Sequence, residues 1–158
     1  MSIFGIPYHA VEIEIPIDGQ KFKKSLENET CPSQPWLKNL HGKYKFIGKI
    51  TESSFKLTPT SKGTNTYLPL IRGKYQSDGL NTKIEVIFSM HPIAIFIMFG
   101  FFSFAEYLSI KKDGNFSFVF VAAFIAFHIM MYVIGFMPEV KKVIKFIEKE
   151  LAAEDNVA

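Results

Sequence analysis

The sequence predicts an α+β membrane protein: a small antiparallel β-sheet domain with one short helix, then a transmembrane helical hairpin and a C-terminal amphipathic helix. Three observations carry this expectation. Before Met90, apolar and polar side chains alternate in short runs split by turn residues, the period-two pattern of half-buried strands. Two nearly unbroken apolar spans follow, Ile93–Ile110 and Phe116–Met137, separated by the polar turn Lys111–Asn115. Last, Val140, Val143, Ile144, Ile147 and Leu151 recur at helical spacing in a lysine-rich segment. The chain thus divides into a cytoplasmic α+β domain (1–90), a membrane hairpin (91–137) and an amphipathic helix with a polar tail (138–158).

Residues 1–7 form a short lead containing Gly5 and Pro7. Tyr8–Ile17 places Val11, Ile13 and Ile15 on one face and Glu12 and Glu14 on the other, a strand that Pro16 ends or confines to a sheet edge. Asp18 is an N-cap for a helix over Gly19–Asn28, with Phe22 and Leu26 four apart on one face. Cys31–His41, with Pro32, Pro35 and the only tryptophan, Trp36, is a connector carrying an aromatic anchor. A four-strand meander follows. Its strands are Lys43–Ile50, Ser54–Thr58, Tyr67–Gln76 and Thr82–Met90, with turns at Thr51-Glu52-Ser53 and Ser77-Asp78-Gly79 and a loop over Pro59–Thr66. Pro69 points to an edge or a bulge in its strand.

A helix rises about 1.5 Å per residue, so roughly 20 apolar residues cross a hydrocarbon core of about 30 Å. The second span meets that length, and His91-Pro92 and Tyr107 extend the first to headgroup level. Pro138 starts the final helix, Glu139–Leu151, which can lie on the inner leaflet or dock on the β domain. Lys74, Lys83, Lys141, Lys142, Lys145 and Lys149 lie toward the sheet side of the spans, against only Lys111 and Lys112 in the turn. This bias puts both chain ends in the cytoplasm.

The net charge of +3 suits an anionic leaflet, and no dense basic cluster with interleaved aromatics argues for nucleic acid. Cys31 is the only cysteine, so no internal disulfide and no thiolate metal cluster can form. Cys31 and His41 lack an orienting third group, and His9, His41, His91 and Cys31 lack metal-ligand spacing. No glycine-rich phosphate loop is present. The sequence therefore predicts no catalytic residues, no cofactor and no enzyme. Arg72 and Lys74, together with Lys141, Lys142 and Lys145, are the candidates for contact with lipid headgroups or a partner. Glu106 and His128 are the polar intruders in the apolar spans, where an ionisable group is costly and points to function. Their depths differ by roughly 10 Å at about 5.4 Å per turn, so they do not pair, and His128 is expected to bond Ser103 or a carbonyl of the facing helix.

Phe46-x-Gly48-x-Ile50, Phe55-Lys56-Leu57, Asn65-Thr66-Tyr67-Leu68-Pro69-x-Ile71-x-Gly73, Ile84-x-Val86 and His91-Pro92 together resemble a family of small uncharacterised bacterial membrane proteins. The likeness covers about Lys43–Leu151 and departs at Thr66-Tyr67, where the family has Ser-Phe, and at Phe88-Ser89-Met90, where it commonly has a basic residue. The resemblance implies a small β domain on a two-helix anchor in the bacterial inner membrane, without an assigned activity. The functional expectation is a membrane-anchored binding protein, its partner a lipid headgroup, another membrane protein or a second copy. The alternatives are a small transporter or channel subunit and an immunity-type protein that blocks a toxin.

Overall fold

The computed structural model describes residues 8–32, 44–60, 68–113 and 118–151 of the chain. Residues 1–7, 33–43 (with Trp36 and His41), 61–67, 114–117 and 152–158 lie outside the described residues. Six strands form a sheet: β1 (Tyr8–Ile15), β2 (Thr30–Pro32), β3 (Phe46–Ile50), β4 (Ser54–Pro59), β5 (Pro69–Ser77) and β6 (Thr82–Met90). Their spatial order is β1-β6-β5-β4-β3-β2. β3 to β6 are the expected meander, and β1 joins β6 antiparallel, with Val11 opposite Val86 and Ile13 opposite Ile84.

The sheet is mixed rather than antiparallel, because β2 lies parallel to β3, Cys31 beside Ile47. A three-residue strand ending in proline has no periodicity to read, which is why the connector conceals it. Helix α1 (Gly19–Asn28) makes the parallel placement feasible by carrying the chain from β1 at one edge to β2 at the other. Asp18 caps it, accepting a hydrogen bond from the Gln20 amide at 2.8 Å. Pro69 is the first residue of a central strand, a position where its missing N–H is tolerated.

One face of the sheet is buried. Ile13, Ile15, Phe46, Phe55, Leu57, Ile71, Tyr75, Ile84, Val86 and Phe88 point into a core closed by Phe22 and Leu26 of α1. The rest of the cover comes from the C-terminal part of the chain: Phe136, Val140, Val143, Phe146 and Ile147 belong to the same core. The Phe146 ring sits 5.2 Å from that of Phe46, with Lys45 Nζ 4.5 Å above it. Val140, Val143 and Ile147 of the amphipathic stripe thus belong to the sheet core, and Ile144 packs against it.

The expected transmembrane hairpin is not what the structure contains. Among the described residues one helix is long and apolar enough to cross a membrane, the continuous run Phe118–Lys149 of 32 residues, and its most apolar stretch is unburied. It joins α3 (Phe118–Met130), a π-helical segment (Met131–Phe136), α4 (Met137–Lys145) and a second π segment from Phe146. Helix α2 (Pro92–Asp113) is continuous but less apolar, carrying Ser103, Glu106, Ser109 and Lys111, and it is not among the candidate spans found in the described residues. It touches α3 through rings, Phe102 to Phe124 at 4.3 Å and Phe99 to Phe124 at 5.8 Å.

Pro138 also fails to break the helix. A proline inside a helix cannot donate and crowds the carbonyl four residues back. The chain absorbs this by widening just before it: the Met137 amide bonds to the Tyr132 carbonyl, five residues back, over the π segment.

The β5–β6 turn carries the fold's best-defined polar lock. Asp78 Oδ1 accepts from the amides of Leu80 (3.1 Å) and Asn81 (2.8 Å), and Gly79 adopts φ +96°, a region that a Cβ disfavours. The Asn81 and Leu80 amides hold the Asp78 carboxyl below its ordinary pKa. Because the folded value is lowered, the stabilisation is complete above the unfolded pKa of about 4 and is lost as pH falls through the folded one. Hydrogen exchange at the Leu80 and Asn81 amides should therefore accelerate on acidification and in Asp78→Ala at neutral pH, beyond the intrinsic pH dependence of exchange. Unchanged protection in both would show that Asp78 does not hold the turn.

Candidate functional site

The sheet has a second face, exposed at Ile47, Lys49, Lys56, Arg72, Lys74, Glu85 and Ile87. Strand alternation sends Phe46, Gly48 and Ile50 to the core, so Ile47 and Lys49 of β3 point outward. By the same rule Lys56 projects between buried Phe55 and Leu57, and Arg72 and Lys74 flank buried Gly73. Register then aligns the cations. Lys49 is opposite Lys56, Lys56 is opposite Arg72, and Arg72 is opposite Ile87; one step along, Ser54 is opposite Lys74, and Lys74 is opposite Glu85. Directly opposed Cβ atoms lie about 5 Å apart, so three strands present a row of three cations with a fourth beside it.

These residues line a shallow groove of about 410 Å³, walled by Lys49, Lys56, Arg72, Lys74, Glu85 and Ile87. Gly73 and Phe55 form its floor. A Cβ at Gly73 would lie 2.1 Å from Phe55 Cζ, so the ring crosses the space that a side chain would fill. The ring itself is buried, with Tyr75 on one side at 6.5 Å and Phe22 at 6.2 Å, and presents no aromatic surface to the groove.

Lysines elsewhere in the domain find carboxylates: Lys23 with Glu52, Lys45 with Glu29 at 3.5 Å, and Lys142 with Glu139 at 2.7 Å. On the β1–β6 half of the open face Lys83 pairs with Glu12 at 2.5 Å, and Asn81 reaches Glu14 at 3.2 Å. Among the described residues, no ion pair or hydrogen bond engages the side chains of Lys49, Lys56, Arg72 and Lys74. Four cations meet one acid, Glu85. Like charges placed directly opposite each other across strands are destabilising, though salt screens exposed ones. The row is a small standing electrostatic cost, which an anion in the groove would remove.

Arg72 and Lys74 were legible as a basic pair from the sequence; Lys49 and Lys56 join them only through register. The signal was present, since the tight turn at 51–53 fixes which residues of β3 and β4 face each other. Lys141, Lys142 and Lys145 stand apart from this groove. They lie on the exposed side of α4, which covers the opposite, buried face of the sheet. The two groups of candidate cations therefore form separate surfaces.

Glu106 is buried within α2, at 5% exposure. His128 lies in α3 against two rings, Phe124 at 4.9 Å and Phe99 at 6.4 Å. These contacts put His128 level with Phe99, seven residues from Glu106, so about 10 Å of helix separates the two. The expected hydrogen bond from His128 to Ser103 or a carbonyl is not formed at Nδ1, which is buried without a partner among the described residues. Cys31 is buried in β2. No group of three or more metal-ligating side chains occurs among the described residues.

Compared with known protein families, with curated proteins and with solved structures, the chain finds no match in any of the three. The pattern resemblance described above therefore rests on its own residues.

Proposed function

We propose that this chain is a membrane-associated binding protein whose open sheet face receives an anionic partner, with no reaction of its own. The observation that carries the reading is the row Lys49–Lys56–Arg72, joined by Lys74, exposed on one face of the sheet and unpaired among the described residues. The exposed apolar length of the helix from Phe118 supports membrane association. Lysines 141, 142 and 145, at the sheet end of that length, support a cytoplasmic position for the domain at the bacterial inner membrane. The alternative of a small transporter subunit has less behind it, since Glu106 and His128 are separated along the helices and the described residues hold one candidate span.

The test has two parts. Membranes washed with alkaline carbonate should retain the full chain. Extracted in a neutral detergent, it should bind immobilised heparin, and Lys56→Gln with Arg72→Gln should elute at lower salt than Lys141→Gln with Lys145→Gln, which removes the same charge. Equal shifts from the two pairs would reduce retention to net charge and sink the reading.

A further inference from the structure

We infer that the groove over Gly73 is a site for a small soluble polyanion bearing two or more phosphate groups; this rests on the reading of the open face as the binding surface. Four features of the groove select this class. Its cations repeat at the strand spacing of about 4.8 Å, which suits phosphates held a few ångströms apart on one compact molecule. Arg72 offers a planar fork that matches two phosphate oxygens at once, with lysines on both flanks as mobile point charges. The volume of about 410 Å³ falls in the range of small-molecule sites. Among the described residues the single aromatic lining the groove, Phe55, is 4% exposed behind Gly73 and offers no ring face for stacking a base, so recognition there falls to charge and spacing.

Position along the strands favours a soluble ligand over bilayer headgroups. Chain and sheet part at Met90, before α2 begins at Pro92. Arg72 is opposite Ile87 and Lys74 is opposite Glu85, three and five residues back from Met90, which at about 3.3 Å per residue is roughly 10 and 17 Å from that end. The cations that directly follow the exposed apolar helix are instead Lys141, Lys142 and Lys145, on the other side of the sheet. Those lysines are the better placed for headgroups, which leaves the groove to a ligand from the water.

The experiment uses the full chain in nanodiscs of phosphatidylcholine alone, titrated calorimetrically with inositol hexakisphosphate and with pyrophosphate. Saturable one-to-one binding is expected, weakened roughly tenfold or more by Lys56→Gln with Arg72→Gln. A smaller loss is expected for Lys49→Gln, and none for Lys141→Gln with Lys145→Gln. The groove variants should melt no lower than the parent, because they relieve like-charge contacts, which separates lost binding from lost folding. Absence of binding by both probes, or equal weakening by both variant pairs, would overturn the assignment. So would binding that disappears when phosphatidylglycerol is added to the disc, since the groove would then hold headgroups. Heparin retention that still depends on Lys56 and Arg72 while both probes fail would reject the phosphate ligand and leave the broader anionic-partner reading standing.

Discussion

Phe136→Ala is expected to lower the free energy of unfolding by about 3–5 kcal/mol and to loosen the long helix from the sheet. Phe136 is 0% exposed and lies where the helix passes from its exposed apolar length into the domain core, its ring 5.7 Å from that of Tyr132. Removing the ring leaves a cavity at the first anchoring point, upstream of Val140, Val143, Phe146 and Ile147. Against a typical total of about 5–15 kcal/mol, the variant should be largely open under mild denaturant. Pulse proteolysis across a urea series in neutral detergent reads the loss directly. Phe96→Ala, at a site 80% exposed in α2, should stay within about 0.5 kcal/mol of the parent. A loss below about 1 kcal/mol for Phe136→Ala would mean that the helix is not held by this contact.

Gly73→Val is the second large effect, because the side chain has nowhere to go. The first added carbon would already lie 2.1 Å from Phe55 Cζ and 2.5 Å from Cε1 and Cε2. The ring cannot retreat freely: Phe22 and Tyr75 pack against it, and the Tyr75 hydroxyl donates to the Thr51 carbonyl at 2.7 Å. Overpacking of this kind costs about 1–3 kcal/mol and more where relaxation is blocked. Phe55 is opposite Gly73 in register, so its displacement would disturb the β4–β5 pairing that aligns Lys56 with Arg72. Gly73→Ala combined with Phe55→Ala should recover part of the loss relative to the sum of the single changes, a coupling of at least about 0.5 kcal/mol in a double-mutant cycle. Strict additivity would show that the glycine is required for some other reason.

Period-two alternation made β1 and β6 legible, since Ile13, Ile15, Ile84, Val86 and Phe88 face one core. Asp18 announced α1 through local capping chemistry, and the observed helix keeps the expected limits, Gly19–Asn28. Non-local features were harder. β2 is too short to carry a period and is held by its neighbour β3. Pro138 was read as a helix start because its local rule ignores what the preceding turn can do; a five-residue hydrogen bond from Met137 lets the helix pass through. Apolar content makes the two spans look alike, but α2 carries more polar residues than α3, and only the run after Phe118 is a candidate crossing among the described residues. The candidate groove was half visible for a related reason. Arg72 and Lys74 are neighbours in sequence, but Lys49 and Lys56 become neighbours of Arg72 only once three strands are in register.

The π segment at Met131–Phe136 has a geometric consequence for the whole long helix. One residue inserted into an α-helix advances its azimuth by about 100°. The less exposed positions nevertheless run on from Phe124, His128 and Tyr132 to Phe136, Val140, Val143 and Ile147, at spacings of four and three. One uninterrupted rod thus keeps a single seam of contact while it passes from an apolar length exposed nearly all round, before Phe136, to a length packed into a protein core after it.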